Sequence, residues 1–111
     1  QFGKQIGSFQ ALQHRAAHLY SEVEIAKSAV LKALQTLDEA PDKSAAIASL
    51  AKAKTSEVAR LAVSEAVQMH GGMGMTDQID IGLFMKRARA AAEYLGDAHF
   101  HADRLASLRG Y

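Results

Sequence analysis

The chain contains no cysteine and no tryptophan, a single proline, and only four phenylalanines and three tyrosines among its 111 residues. Without cysteine there is no disulfide, no zinc held by thiolates and no thiol nucleophile within these residues, and nothing marks the redox compartment. Charge of one sign is also scarce: 13 Lys and Arg stand against 12 Asp and Glu, a formal net charge of +1. So close a balance generates no whole-protein field toward nucleic acid or an anionic membrane, and any binding must be local. Apolar runs extend over only a few residues, against about 20 for a transmembrane helix, and no leader pattern opens the chain. Neither nucleic acid nor membrane is therefore expected as a partner, and a cytoplasmic setting is expected. The opening QFGK has no initiator methionine and reads as the interior of a longer polypeptide. Residues 1–111 are expected to form one domain, long enough to bury roughly 65% of its unfolded surface.

What is present in abundance is helix-forming sequence, rich in Ala, Leu, Lys and Glu. Phe9, Leu12, Ala16, Leu19, Val23, Ala26, Val30, Ala33 and Leu37 fall at steps of three and four. They form one stripe along about 30 residues, or roughly 45 Å of helix. This helix should end near Glu39, because Pro41 disfavours helical geometry in Ala40 and cannot donate to a continuing ladder. Asp42 or Ser44 is the expected N-cap of a second helix running to about His70, with Ile47, Leu50, Ala51, Val58, Leu61 and Ala62 on its buried side. Thr76 or Asp77 is expected to cap a third helix carrying Ile81, Phe84, Met85, Ala88, Ala92 and Leu95 inward, with Asp80 in its first turn. Gly96 should interrupt it, and Asp97 should cap a last helix through Ala98, His101, Leu105 and Leu108. The fold class predicted is all-α, an up-and-down helical bundle of about four helices. The long stripe of the first helix is expected to find part of its cover in an upstream helix or another subunit.

Between the second and third helices lies VQMHGGMGMTDQID, residues 67–80, with three of the eight glycines within four positions. Gly71 directly after a helix is the expected left-handed C′ residue. Gly72 and Gly74 go beyond the needs of a cap and suggest backbone amides bared to a flat or phosphorylated ligand. A tight interhelical turn is the alternative that spacing leaves open, and the absence of G-x-G-x-x-G after a strand rejects a dinucleotide fingerprint.

QFGKQIGSFQALQH at 1–14 and AKAKTSEVARLAVSEAVQMHGGMGMT at 51–76, with the helix that follows, together resemble the C-terminal helical domain of the acyl-CoA dehydrogenases. The resemblance covers nearly the whole chain in the right order. It implies a helical bundle at the core of a homo- or heterotetramer that acts on acyl-CoA thioesters, with FAD held mainly by a neighbouring subunit. Phe2 and Gln10 match the family's aromatic and glutamine contacts to FAD, and Gln68, Gly71 and Gly72 match the loop along its adenosine pyrophosphate. A carboxamide both donates and accepts, and bare glycine lets a dinucleotide come close. The family's arginine two residues before Gln1 is not in this sequence.

The general base in many members is the glutamate of a Tyr-Glu-Gly-Thr segment, whose ungapped register falls on Tyr94, Leu95, Gly96 and Asp97. Leu95 cannot accept a proton, so no catalytic residue is assigned here. Glu93, two positions away on a helix, would point about 160° from the required direction. Some branches of the family supply the glutamate from an earlier helix, and others pair a subunit that has lost catalytic groups with an active one. Asp97 and His99 stand where the family has flavin-contacting threonine and glutamine. This resembles noncatalytic or specialised bacterial subunits that act on bulky acyl-CoA thioesters, and Asp97 would repel a flavin phosphate.

No metal site is expected: His14 and His18 are four apart but lack a third ligand, and His99 and His101 lie on different helix faces. His70, before the glycines, is either a solvated helix end or a ligand contact. Lys86, Arg87 and Arg89 read as a solvated face or a subunit contact. Lys54, Glu57 and Glu65 are expected to form interhelical ion pairs. Three functional readings follow: a domain of an active dehydrogenase, a structural subunit completing a partner's flavin site, or a helical interaction domain without flavin.

Overall fold

The computed structural model describes residues 2–111. Four helices follow one another: α1 (Gln10–Glu39), α2 (Ser44–His70), α3 (Ile81–Glu93) and α4 (Ala98–Leu108), with 3₁₀ turns at Ile6–Ser8, Pro41–Lys43 and Gly71–Met75. The all-α fold and the extents of the first two helices agree with the periodicity. Pro41 ends α1 as expected, leaving Ala40 at φ −148° and ψ 70° with its N–H donating to Thr36.

The caps differ. Neither Asp42 nor Ser44 caps α2, because the Pro41–Lys43 turn feeds into the helix with Lys43 already in right-handed geometry. Ser44 instead donates its hydroxyl to the Pro41 carbonyl at 2.6 Å. Neither Thr76 nor Asp77 caps α3 either: the Thr76 hydroxyl donates to Met73 O at 2.8 Å, and the helix starts only at Ile81, with Asp80 at the N-cap position making no side-chain bond. Asp97 caps α4 as predicted, its Oδ1 accepting from the Phe100 amide at 2.8 Å.

α2 is the central element, with α1 packed antiparallel along it and α3 and α4 also resting against it. Small residues allow this close approach. Ser49 is completely buried, Ser56 nearly so, and Ala26, Ala51 and Val58 are the buried apolar residues. Of the residues expected to point inward from α3, Ile81, Ala88 and Ala92 are half-buried as predicted, whereas Phe84 is 62% exposed and Met85 is exposed where it borders the groove beside α2. On α1, Leu12, Leu19 and Val23 are half-buried, whereas Val30, Leu31, Leu34 and Leu37 are exposed. The molecule is long, 57 × 26 × 26 Å, with a radius of gyration of 17.1 Å against about 13 Å for a compact chain of this length. Its accessible surface of 8157 Å² compares with about 5,900 Å² for a compact monomer and about 17,000 Å² unfolded. About half of the unfolded surface is buried, less than length alone suggested, because the helices lie side by side rather than around one core.

Two ion pairs clamp α1 to α2. Arg15 donates to both carboxylate oxygens of Glu65, at 2.6 and 3.2 Å, and Lys54 donates to Glu22. Glu57, expected to join them, has no such partner among the described residues and borders a groove instead. The hydrogen bond from Arg15, reinforced by its charge, lowers the Glu65 carboxyl from its ordinary value of 4.5. A depressed folded value means that the pair stabilises fully above the unfolded carboxylate range and is lost as pH falls through the folded value. Replacing Glu65 by Gln should therefore lower the urea midpoint at neutral pH. That gap should close as the pH falls below the carboxylate range, and a gap that persists in acid would assign the effect to packing.

Candidate functional site

Antiparallel packing brings the two halves of the motif to one end of the molecule. The Arg15–Glu65 pair sets the register, and about one turn further out it places Gln10, the first residue of α1, level with the last turn of α2 that carries Gln68. Both carboxamides are exposed, and neither has an intrachain hydrogen bond among the described residues. Ahead of α1, Phe2 is 79% exposed, with its ring edge-on to Phe9 at a centroid separation of 6.1 Å. Phe2 and Gly3 both have positive φ, 60° and 68°, in a sharp turn, and in the following Ile6–Ser8 turn the Gly7 carbonyl accepts from Gln13 Nε2 at 2.9 Å.

The glycines divide by role. Gly71 ends α2 at φ 59° and ψ −143°, which is a glycine-only region and not the left-handed helical geometry expected of it. Gly74, expected to bare its amide to a ligand, is buried instead: a Cβ there would stand 2.6 Å from the Val67 carbonyl oxygen. Gly72 has neither constraint, being exposed, without positive φ, and with nothing within 4 Å of a Cβ. His70 turns back, its Nδ1 2.7 Å from the Ala66 carbonyl.

At residues 94–97 the chain makes a corner between α3 and α4. α3 ends at Glu93, so the helical angle expected between Glu93 and residue 95 does not apply. Leu95, expected to face inward, is 74% exposed and has φ 62°, followed by Gly96 at φ 101°. His101, on the inner side of α4 as predicted, is 8% exposed, and its Nε2 donates to Leu95 O at 2.9 Å. Beside the corner an open groove of about 390 Å³ runs between α2 and α3, bordered by Arg60, Arg89, Glu57 and Glu93 over a floor that includes Ala88 and Ala92. No sequence signal marked Lys52, Ser49 or Arg104, which join this corner to α2. The spacing of Ser49, Lys52 and Ser56, a polar ridge on one face of a buried helix, is the cue that could have done so.

Fold and site together define an all-α domain that offers carboxamides and open glycine backbone at one end of a helical hairpin. Residues 1–107 match the family model described as acyl-CoA dehydrogenase, C-terminal domain. The chain belongs to the acyl-CoA dehydrogenases, a family of flavoenzymes. It is 43% identical over 105 residues to acyl-CoA dehydrogenase IpdE2 of Mycolicibacterium smegmatis, covering 95% of this chain and 32% of that protein. It is 35% identical over 106 residues to the mitochondrial short/branched chain specific acyl-CoA dehydrogenase of Rattus norvegicus, covering 96% of this chain and 24% of that protein. The chain thus spans about a third or less of the curated relatives it matches. No helix among the described residues is long and apolar enough to cross a membrane.

Proposed function

We propose that this domain serves an FAD-dependent acyl-CoA dehydrogenase by supplying subunit interface and the FAD contacts Phe2, Gln10, Gln68, Gly71 and Gly72. The flavin, when bound, accepts the hydride that leaves the β-carbon of an acyl-CoA thioester as a base removes the α-proton. Gln10 and Gln68 would offer carboxamides to the dinucleotide, Phe2 an aromatic face, and Gly71 and Gly72 a backbone without Cβ atoms. The observation that carries this reading is Gly72. The fold gives no conformational or steric reason for glycine there, and a ligand lying against the backbone supplies one. In the intact assembly Gly72→Ala should leave the unfolding free energy within about 1 kcal/mol of the wild type and lower flavin occupancy by about tenfold. Wild-type occupancy in that variant would remove the loop from the cofactor surface.

Leu95 favours a second reading, that of a structural subunit. With an aliphatic side chain at the family's base position, the chain would complete a partner's flavin site in a heterotetramer while the partner performs the chemistry. The exposed apolar residues of α1 and an accessible surface about 2,200 Å² above that of a compact monomer supply the area for either assembly. Co-purification of a homologous second chain, with bleaching by acyl-CoA only when both are present, would distinguish this reading from the first.

A further inference from the structure

The 94–96 corner is held by side chains from two other helices. α3 leaves the carbonyls of its last turn without intrahelical partners, and each is satisfied. Tyr94 N–H donates to Ala90 O and Gly96 N–H to Glu93 O, while the Lys52 ammonium donates to Ala91 O at 2.8 Å and Ala92 O at 3.0 Å. The Leu95 carbonyl accepts from His101 Nε2. A carbonyl can only accept, so His101 Nε2 carries the proton of its bond to Leu95 O, and Arg104 can only donate. Arg104 donates to Ser49 Oγ at 3.1 Å, and His101 Nδ1 lies 3.3 Å from the same hydroxyl. Ser49 and Lys52 lie one turn apart on α2, so a single ridge of that helix grips the corner from below and α4 grips it from the side.

The conformation so held is unfavourable for the residue in it. Left-handed geometry brings the leucine Cβ close to the following carbonyl, and a side chain 74% exposed recovers little of that cost by packing. The backbone network, not the leucine, therefore determines the geometry. We propose that Lys52 and His101 are positioning residues that hold this corner and set the direction in which the side chain at 95 projects, whichever residue stands there. Its meaning for dehydrogenation rests on the proposed function, but the projection itself does not.

The test uses the intact polypeptide with any cysteine outside these residues replaced, since residues 1–111 contribute none. A nitroxide is attached through Leu95→Cys, with a control through Leu83→Cys on the exposed face of α3. Lys52→Met and His101→Phe should each speed motion at 95 by at least about twofold on the nanosecond scale and leave the label at 83 unchanged. Lys52→Arg and His101→Gln, which keep a donor, should restore order. Unchanged motion at 95 would overturn the proposal, and so would equal loosening at both labels, which would assign the donors to the packing of the whole bundle. An ordered label at 95 in a protein that binds no flavin would leave the positioning intact and sink the flavin reading instead.

Discussion

Alanine at position 74 should destabilise the protein by about 2–3 kcal/mol, at the upper end of the cost of overpacking a tight site. The added methyl would lie 2.6 Å from Val67 O, 3.1 Å from Val67 Cα and 3.3 Å from His70 Cβ. The first two are backbone atoms in the last turns of α2 and cannot rotate away. The 3₁₀ turn Gly71–Met75 must therefore lift from the helix end, loosening the hydrogen bonds that Thr76 makes to Met73. Urea unfolding of the intact polypeptide measures the effect, with Gly72→Ala, two residues away and unobstructed, as the control. A loss below about 0.5 kcal/mol, the range of ordinary surface substitutions, would mean that the turn is not seated on α2. If Gly71 and Gly72 contact flavin as proposed, Gly74→Ala should also weaken flavin retention, through displacement rather than lost contact.

Glutamate at position 95 is expected to accelerate anaerobic bleaching of bound flavin by acyl-CoA on the order of 10²-fold in the intact polypeptide purified alone, the lower end of what a positioned general base contributes. The expectation joins the proposed function to the geometry of the corner. Backbone hydrogen bonds hold position 95, so a carboxylate placed there inherits the projection of the residue it replaces. The exposure of Leu95 makes the substitution mild for folding, within about 0.5 kcal/mol. Wild-type protein that already bleaches rapidly, with no gain from Leu95→Glu, would locate the base elsewhere in the polypeptide and favour the active-dehydrogenase reading. Flavin that stays oxidised in both proteins would mean that the corner does not face the acyl group.

The helices were legible in the sequence because their signals are local. The three-and-four stripe of α1, the break at Pro41 and the glycine after His70 need no knowledge of partners. Two of the failed caps share one cause: compact turns precede α2 and α3, and their hydrogen bonds engage the Ser44 and Thr76 hydroxyls before either can serve a helix end. On α3 the periodicity marks Ile81, Ala88 and Ala92, which are half-buried, but it marks Phe84 equally, and close approach of the alanines to α2 leaves that larger ring exposed on the single chain. At the site, resemblance located the glycine loop, but only three-dimensional packing separates Gly74, needed by the fold, from Gly72, which is not. Lys52 and His101 carry no local mark in the sequence, since a lysine in an alanine-rich helix and a lone inward histidine are ordinary, and the carbonyls they serve lie 39, 40 and 6 residues away.

The central place of α2 also constrains how the chain assembles. Among the described residues it is the one helix with extensive contacts to each of the others, so neither α1 nor the α3–α4 pair has a template to dock on until α2 is helical. Its connection to α1 is the short Ala40–Lys43 segment, and the link onward to α3 closes only a brief loop. The two connections are short, so the entropy of closing them is small. A nascent polypeptide can thus complete its α1–α2 hairpin while α4 is still being synthesised, and the corner at 94–96 is set only when His101 arrives to close it.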